Sequence, residues 1–170
     1  MNEPDLNQKT GRAMSYVAWI LAVGLLTYFF QGYLNRKENP NQNPDSEFYQ
    51  GAIEVKLKRN ASGHYVTNGY INQKQVKFLL DTGATSVSIP ETIAQEIGLP
   101  YGPKHIASTA NGNIEVYQTR IDLLEIGDIK LRNVSASINP YMENTILLGM
   151  SALKRIEFSQ RGNTLTLRKY

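Results

Sequence analysis

A charge-free apolar block near the N-terminus is the feature that most constrains the fold of this chain. No charged residue lies between Arg12 and Arg36, and residues 14–30 read MSYVAWILAVGLLTYFF. A helix needs roughly 20 apolar residues to cross a bilayer, and the block over residues 14–34 is long enough. A buried helix of a soluble core is a less favoured interpretation, because the block has no polar face. We therefore predict a transmembrane anchor over 14–34, preceded by a short tail at 1–13.

The alternative interpretation of this block is a cleaved signal peptide. No A-x-A-like cleavage site follows it, and it is longer than the usual apolar core of a signal peptide, so an uncleaved anchor is favoured. The basic residues on its two sides are balanced, and the short N-terminal tail favours an N-inside orientation. The rest of the chain is then expected outside the cytoplasm. Aromatic residues mark both expected membrane interfaces: Tyr16, Trp19, Tyr28 and Tyr33.

The composition changes twice after the apolar block. Residues 35–47 read NRKENPNQNPDSE, with two prolines and no apolar side chain. Such a segment has nothing to bury, and we predict a polar tether there. From residue 48 onward, short stretches with period-two alternation begin.

The remaining residues, 48–170, carry the pattern of a small β domain. Residues 53–58 alternate between apolar and charged side chains, and a hairpin is indicated between 156–158 and 165–167. Only one helix is well signalled, at 91–97, between a proline and a glycine. Short, evenly spaced strands with little helix predict a mainly β, closed barrel-like domain with one or two short helices.

Composition excludes several classes of function. The chain has no cysteine, which rules out disulfides, thiol nucleophiles and cysteine-ligated zinc. Its net charge of +3 is too small and too scattered to indicate a nucleic-acid surface. His64 and His105 lie in unrelated contexts without metal-ligand spacing, and we interpret both as ordinary strand residues. The segment GMSAL at 149–153 lacks the second glycine of a nucleophile elbow. We predict no metal, no cofactor and no nucleic-acid partner.

The segment FLLDTGATSVSIP, residues 78–90, contains the strongest functional signal. An apolar strand delivers Asp81 into the turn formed by Thr82 and Gly83, although a buried carboxylate is costly unless it is partnered. One interpretation is ordinary turn chemistry, in which Asp81 only caps the turn. The other is the layout of aspartic proteases, in which two such loops meet and two carboxylates hold a water between them.

A catalytic pair of carboxylates requires two copies of this loop. The sequence holds one Asp-Thr-Gly and no Asp-Ser-Gly. If the chemistry is that of an aspartic protease, two chains must therefore associate about a two-fold axis, and each must supply its Asp81.

Three segments in the right order resemble the retropepsin-like aspartic proteases, most closely their bacterial membrane-anchored branch with a single protease domain. Residues 78–90 resemble the catalytic strand and loop. The sequence STANGNIEVY at 108–117 is placed like the flap hairpin, and TILLGMSALKRIEF at 145–158 resembles the strand and short helix behind the loop. The resemblance implies the retropepsin (acid protease) fold for residues 48–170.

The resemblance also implies roles for the residues of the catalytic loop. Asp81 is implied to be the catalytic carboxylate. Thr82 is implied to hydrogen-bond across the two-fold axis and to lock the two loops together. Gly83 and Ala84 are implied to border the substrate backbone. Here Thr85 stands where retroviral members usually have an acidic residue.

Two further segments receive implied roles. The flap tip, which is expected to contact substrate, consists of Ala110, Asn111, Gly112 and Asn113. The residues expected to pack behind the site are Leu147, Leu148 and Gly149. The tip holds one glycine, fewer than in retroviral members. Retroviral enzymes dimerise through interleaved terminal strands, and residues 165–170 are expected to serve that purpose.

The functional prediction is a membrane-anchored homodimeric aspartic endopeptidase. It hydrolyses peptide bonds with a water activated between Asp81 of each chain, takes extended peptides as substrates and requires no cofactor. The expected location is the bacterial inner membrane, with residues 14–34 in the bilayer and the C-terminal domain in the periplasm.

Two other functions stay open from the sequence alone. The same fold can serve as a non-catalytic, tethered peptide-binding or dimerisation module, which would bind peptide without Asp81. A weaker alternative is a peripheral scaffold that holds a basic face against anionic lipid, which would be sensitive to salt and indifferent to Asp81.

Overall fold

A computed structural model describes residues 6–109 and 112–170 of the 170-residue chain. The chain divides into two compact units, Met1–Lys37 and Glu38–Tyr170. Helix α1 spans Leu6–Glu38, and its segment Thr10–Glu38 is, in the described part of the chain, the one helix long and apolar enough to cross a membrane. The side chains of this segment are exposed, as the lipid-facing surface of a single membrane helix is.

The described residues of the second unit are mainly β, with two short helices, as the sequence pattern predicts. The strands are β1 (Ser46–Tyr49), β2 (Ala52–Lys58), β3 (Val66–Ile71), β4 (Lys74–Leu80), β5 (Val87–Pro90), β6 (Lys104–Thr109), β7 (Gly112–Ile126), β8 (Ile129–Asn139), β9 (Ile146–Leu148), β10 (Glu157–Arg161) and β11 (Thr164–Lys169). The helices are α2 (Glu91–Ile97), which ends at the left-handed Gly98, and α3 (Met150–Leu153).

These strands form two sheets. The larger sheet has the order β3-β4-β9-β5-β8-β7-β6, and a further pairing of β3 with β7 closes it into a barrel beyond which β6 extends. Most neighbours are antiparallel, but β4 runs parallel to β9, and β5 runs parallel to β8. The smaller sheet is antiparallel and has the order β1-β2-β11-β10.

One hydrophobic core is shared by the two sheets. Val55 and Leu57 from β2 and Leu167 from β11 are fully buried, and they belong to the same core cluster as Phe78 and Ile138 of the barrel. The packed core and the neighbouring strands therefore hold β4 in place, and with it the loop that begins at Asp81.

The prediction that residues 35–47 bury nothing is wrong for two asparagines. Asn39 and Asn41 are buried, and the amide nitrogen of Asn41 donates to the carbonyl oxygens of Lys58 (2.9 Å) and Val66 (2.7 Å). Its amide oxygen accepts the backbone N–H of Lys58 at 2.7 Å. An asparagine side chain carries two donors and one acceptor, so it satisfies backbone groups that a strand ladder leaves free. The segment after α1 is thus attached to the β domain through polar contacts, which hydrophobic patterning does not reveal.

The expectation that residues 165–170 form an interleaved dimer strand is also wrong. Strand β11 pairs with β2 on one side and with β10 on the other, so both of its edges are occupied within its own chain. The cause is the tight turn at Gly162, which has a φ of 61° and folds β11 directly back onto β10. The edge strands of the smaller sheet are therefore β1 and β10.

Candidate active site

The loop that begins at Asp81 is held at both ends by backbone hydrogen bonds. The N–H of Asp81 donates to the carbonyl of Leu148 on β9 (3.2 Å), and the Asp81 carbonyl accepts from the N–H of Ala84 (3.3 Å). The carboxylate oxygen Oδ1 accepts the N–H of Gly83 at 2.9 Å. A Cβ at Gly83 would lie only 3.2 Å from that oxygen, so glycine allows this close approach. The turn therefore fixes the orientation of the carboxylate.

The Asp81 carboxylate has no countercharge. Among the residues that the structure describes, Asp81 forms no ion pair, and its hydrogen bond from Gly83 leaves most of its acceptor capacity free. The buried strand before Asp81 implied a buried carboxylate, which would need a partner. The Asp81 side chain is only half-buried, so it does not need one. Thr82 and Gly83 are exposed beside it. Within the described part of the chain, the Thr82 hydroxyl has no hydrogen-bond partner.

Gly149 allows the chain to pass directly behind this loop. A Cβ there would lie 2.7 Å from the carbonyl oxygen of Ala84 and closer still to that of Ser86. The backbone N–H of Met150, the first residue of α3, donates to the Ala84 carbonyl at 2.8 Å. A side chain at Gly149 would force these backbones apart, so the glycine is required by steric contact.

Strand β9 positions the two leucines before Gly149 differently. Leu148 is fully buried and pairs with Leu80, the last residue of β4. Leu147 is half-buried and lines the same cavity as Asp81. The segment expected behind the loop thus lies there, and it also contributes one side chain to the cavity wall.

A cavity of about 790 Å³ lies over the Asp81 loop. One wall is formed by Asp81 and Gly83 with the residues that follow them, and the opposite wall is formed by residues 105–109 of β6 with Ile114 and Val116 of β7. Its volume falls within the range of small-molecule and peptide side-chain sites. The half-buried carboxylate therefore opens into a partly enclosed space with a mixed polar and apolar lining.

Strands β6 and β7 form a hairpin arm over this cavity. They pair from Lys104 opposite Tyr117 to Thr109 opposite Gly112. Gly112 has a φ of 110°, a conformation that residues other than glycine rarely adopt. Gly112 and Asn113 are exposed, whereas Ala110 and Asn111, the other two residues of the expected flap tip, lie outside the described residues.

His105 is a cavity residue that sequence reasoning interprets as an ordinary strand residue. It lies on β6, as a strand residue should, but it lines the cavity that contains Asp81. It also lines an adjoining cavity of about 500 Å³ together with Arg120. The signal available in the sequence is its position four residues before Thr109, on the first strand of the expected flap hairpin. His64 lies outside both cavities, in the irregular segment just before β3, so the expectation of a strand residue is wrong for it.

No metal centre is built from the described residues: they contain no group of three or more histidine, cysteine or acidic side chains in ligating range. The polar side chains that line this cavity together with Asp81 include those of His105 and Asn139 and those of Ser86 and Ser137, whose hydroxyl oxygens lie 3.4 Å apart.

The described residues combine an Asp-Thr-Gly turn at a strand end, a second strand followed by a glycine behind it, and a hairpin arm above it. Residues 67–155, more than half of the chain, match the family model described as "gag-polyprotein putative aspartyl protease". The chain belongs to this family of retropepsin-like aspartic proteases, as the three sequence segments predict.

A solved structure shares the fold. The crystal structure of a retropepsin-like aspartic protease from Rickettsia conorii superimposes with a TM-score of 0.56 at 25% sequence identity. The match covers 74% of this chain and 94% of that protein. The predicted mainly β, retropepsin-like fold is confirmed by this match together with the sheet order described above.

Two curated bacterial relatives also match. One, named as an uncharacterized protein in the cobV 5′ region of Sinorhizobium sp, is 33% identical over 124 residues, which cover 70% of this chain and 53% of that protein. The other, named as the uncharacterized protein RP867 of Rickettsia prowazekii (strain Madrid E), is 28% identical over 109 residues, covering 61% and 46%. The chain spans about half the length of the curated relatives that it matches.

Proposed function

We propose that this chain is a membrane-anchored, homodimeric aspartic endopeptidase in which Asp81 of each chain forms the catalytic pair. The observation that carries the proposal is the Asp81 carboxylate. It is oriented by Gly83, forms no ion pair with any residue that the structure describes, and opens into the cavity beneath the hairpin arm. The hydrogen bond from Gly83 is also that of an aspartate that caps a turn, so what favours a catalytic role is the acceptor capacity that the carboxylate retains towards the cavity.

The mechanism follows from two such carboxylates at close range. Like charges separate the two titrations, so one carboxyl stays protonated while the other is ionised. The ionised carboxylate takes a proton from a water between them, and the water oxygen attacks the carbonyl carbon of the peptide. The protonated carboxyl donates a hydrogen bond to the carbonyl oxygen. Collapse of the tetrahedral intermediate breaks the C–N bond as the amine nitrogen receives a proton.

The neighbours of Asp81 take supporting roles in this proposal. Thr82, which is exposed, hydrogen-bonds to the loop of the second chain, and Gly83 and Ala84 border the substrate backbone. Leu147, Leu148 and Gly149 hold the loop from behind. The flap tip, from Ala110 through Asn113, closes over the bound peptide.

The proposed substrate is an extended peptide bound as a strand. Strand β6 pairs with β7 on one side only, so its second edge is open beside the cavity. Main-chain hydrogen bonds along such an edge supply affinity without sequence selectivity, and alternate side chains enter pockets that supply specificity.

The proposed location is the bacterial inner membrane, with α1 as a single-pass anchor and the β domain in the periplasm. Support comes from the length and apolar character of α1 and from the bacterial origin of the relatives. The β domain begins at Glu38, where α1 ends, so the proposed anchor directly precedes it in the chain.

The test is hydrolysis of a fluorogenic peptide library by the full chain in detergent micelles, beside the variant Asp81→Ala. Activity is expected to rise faster than linearly with protein concentration and to vanish in the variant, because two chains form one site. Peptide binding that persists in both proteins without any turnover, at concentrations where sedimentation shows a dimer, would overturn the enzyme and leave the non-catalytic peptide-binding module.

A further inference from the structure

Strand β10 has an open edge that nothing in the described part of the chain covers. It is the last strand of the smaller sheet and pairs with β11 alone. All five of its residues, Glu157 through Arg161, are exposed, including Phe158. An edge strand presents unpaired N–H and C=O groups, which makes it a template for another strand.

The sequence of β10, EFSQR, is complementary to itself in antiparallel pairing. When two copies pair about Ser159, Glu157 of each chain lies opposite Arg161 of the other, and Phe158 lies opposite Gln160. Opposite charges across an antiparallel pair are stabilising, and like charges are destabilising. A shift of two residues in either direction leaves two residues unpaired and removes both charge pairs. The centred register therefore uses the whole strand.

This register also keeps the two sheets in the same orientation. Glu157, Ser159 and Arg161 share one face of β10, whereas Phe158 lies opposite Leu167 on the core face. Pairing about Ser159 turns the core faces of both chains to the same side, because directly opposite residues share a face. A one-residue slip would turn one chain over and direct its core face outward. A two-fold axis through Ser159 is thus compatible with two intact β domains.

Both charged residues of β10 are available for such contacts. The Glu157 side chain is 65% exposed, and its nearest cation, Arg168, lies 3.9 Å away. Arg161 is exposed and forms no ion pair among the described residues.

The other edge strands lack this property. Strand β1, SEFY, has no cationic residue, and its one charge, Glu47, is already paired with Lys56 at 2.6 Å. Strand β6 borders the cavity that contains Asp81, so its open edge belongs to the proposed substrate. Strand β11 has no free edge.

We infer that β10 is the dimerisation strand and that its occupant is the β10 strand of a second copy of this chain, paired antiparallel about Ser159. Each chain then contributes a complete four-stranded sheet, and the two sheets join at their β10 edges instead of interleaving terminal strands. The inference rests on the proposed function, because each chain has one Asp81 and the proposed catalytic pair is incomplete without a second chain.

A cysteine at the two-fold axis tests the pairing directly, because the chain has no other cysteine. In Ser159→Cys, the two thiols of a dimer lie directly opposite each other, within reach of a disulfide. The full chain in detergent micelles is expected to form a covalent dimer on mild oxidation. The control is Ser62→Cys, in the exposed turn before β3, which is expected to stay monomeric on the gel. Equal cross-linking of the two variants, or none at position 159, would overturn the inference.

Charge reversal supplies a second, independent test. Glu157→Lys places an ammonium group opposite Arg161, and Arg161→Glu places two carboxylates opposite each other. Each variant alone is expected to weaken the dimer about tenfold, since two like-charge contacts replace two ion pairs per dimer. In an equimolar mixture of the two variants, both contacts of the mixed dimer bring opposite charges together again, so the mixed dimer is expected to be stronger than the dimer of either variant alone. The double variant, Glu157→Lys with Arg161→Glu, restores both opposite-charge contacts in its own dimer. Its sedimentation is therefore expected to show recovery of the dimer.

The outcomes separate this inference from the proposed function. Cross-linking at position 159 and recovery in the double variant, without peptide hydrolysis, would keep the dimer and discard the enzyme. Hydrolysis that depends on Asp81, with no cross-link at position 159 and no recovery in the double variant, would keep the enzyme and discard this interface.

Discussion

Each of the two sheets of the β domain contains a carboxylate, and the two carboxylates differ in burial and in pairing. In the smaller sheet, Glu54 on β2 is 5% exposed and is bound by the guanidinium of Arg168 on β11, with Nε 2.8 Å from its Oε1. In the barrel, Asp81 is half-buried and accepts one hydrogen bond from the N–H of Gly83. One acid is more deeply buried and paired, and the other is more accessible and unpaired.

The comparison shows which carboxylate can react. The Glu54 carboxylate holds the pKa of Arg168 above its ordinary value, so the guanidinium stays charged throughout the pH range in which the domain would work. Both hydrogen bonds from Arg168 go to Oε1 of Glu54, and a buried acid held by a cation in this way serves structure. Asp81 retains free acceptor capacity. Burial alone therefore does not single out the acid that we propose as catalytic. Within the described residues, Asp81 differs from Glu54 in that it lines a cavity and forms no ion pair.

The largest expected effect is that of Asp81→Asn. The amide retains the oxygen that accepts from Gly83, so the fold should be unchanged, but it cannot act as a base. Peptide hydrolysis is expected to fall by at least about a thousandfold, with an unchanged free energy of unfolding. The matched control is Glu54→Gln, which should retain most of the activity per folded dimer. Equal residual activity in the two variants would remove the functional distinction between the two acids.

Gly149→Ala is expected to give the largest loss of stability. Its methyl group would press against the carbonyl oxygens of Ala84 and Ser86, and neither backbone can move without disturbing the Asp81 loop. We expect a loss of about 3 kcal/mol or more in the free energy of unfolding, measured by chemical denaturation of the full chain in micelles. Gly11→Ala in α1 is the control, because a methyl group there meets no atom within 4 Å. An equally small effect at both positions would contradict the steric argument.

The site residues of the barrel can be predicted from the sequence much better than the contacts of the smaller sheet and of the segment before it. Asp81, Gly83 and Gly149 are recognisable because a turn at a strand end restricts residue type, and their order along the chain is informative. Asn41 carries no such signal. Its role depends on carbonyl groups that lie 17 and 25 positions away in the chain, and a polar, proline-containing segment is normally unfolded.

The pairing within the smaller sheet is hard to predict for a related reason. Period-two alternation predicts that β11 is a strand, but it does not indicate which strands lie beside it. That is decided by the turn at Gly162 and by the length of β2, which together enclose β11 within its own chain. The same reason applies to His105, since only the register of the hairpin brings it to the cavity.

Asn41→Ala tests whether the segment after α1 is held to the β domain by the hydrogen bonds of Asn41. The substitution leaves the carbonyls of Lys58 and Val66 and one backbone N–H without their partner. The expected loss is about 2–3 kcal/mol in the free energy of unfolding, because three hydrogen bonds are lost, of which one is buried and two are partly buried. Asn41→Asp, which keeps an acceptor for the N–H of Lys58 and loses both donors, is also expected to destabilise. The control is Asn163→Ala, in the exposed turn between β10 and β11. If Asn41→Ala proves no worse than that control, residues 38–42 are a tether after all.

The smallest of these losses of stability is expected for a substitution of Glu54, the paired acid. Glu54→Gln replaces the carboxylate by a neutral acceptor of the same shape, and Arg168 is left without its main countercharge. A fully buried pair broken in this way costs several kcal/mol, but the Arg168 side chain is 33% exposed and has Glu157 at 3.9 Å as a second partner. We therefore expect a loss of about 1–2 kcal/mol in the free energy of unfolding.

The double variant Glu54→Leu with Arg168→Leu completes the argument about the paired acid. Replacing both partners removes the desolvated charge together with its countercharge, so the double variant should be more stable than the sum of the two single leucine variants predicts. A double-mutant cycle on the unfolding free energies of the full chain measures this coupling. Strict additivity would mean that Glu54 gains nothing from Arg168. The smaller sheet would then also contain a carboxylate without an effective partner, and the lack of a countercharge would no longer distinguish Asp81.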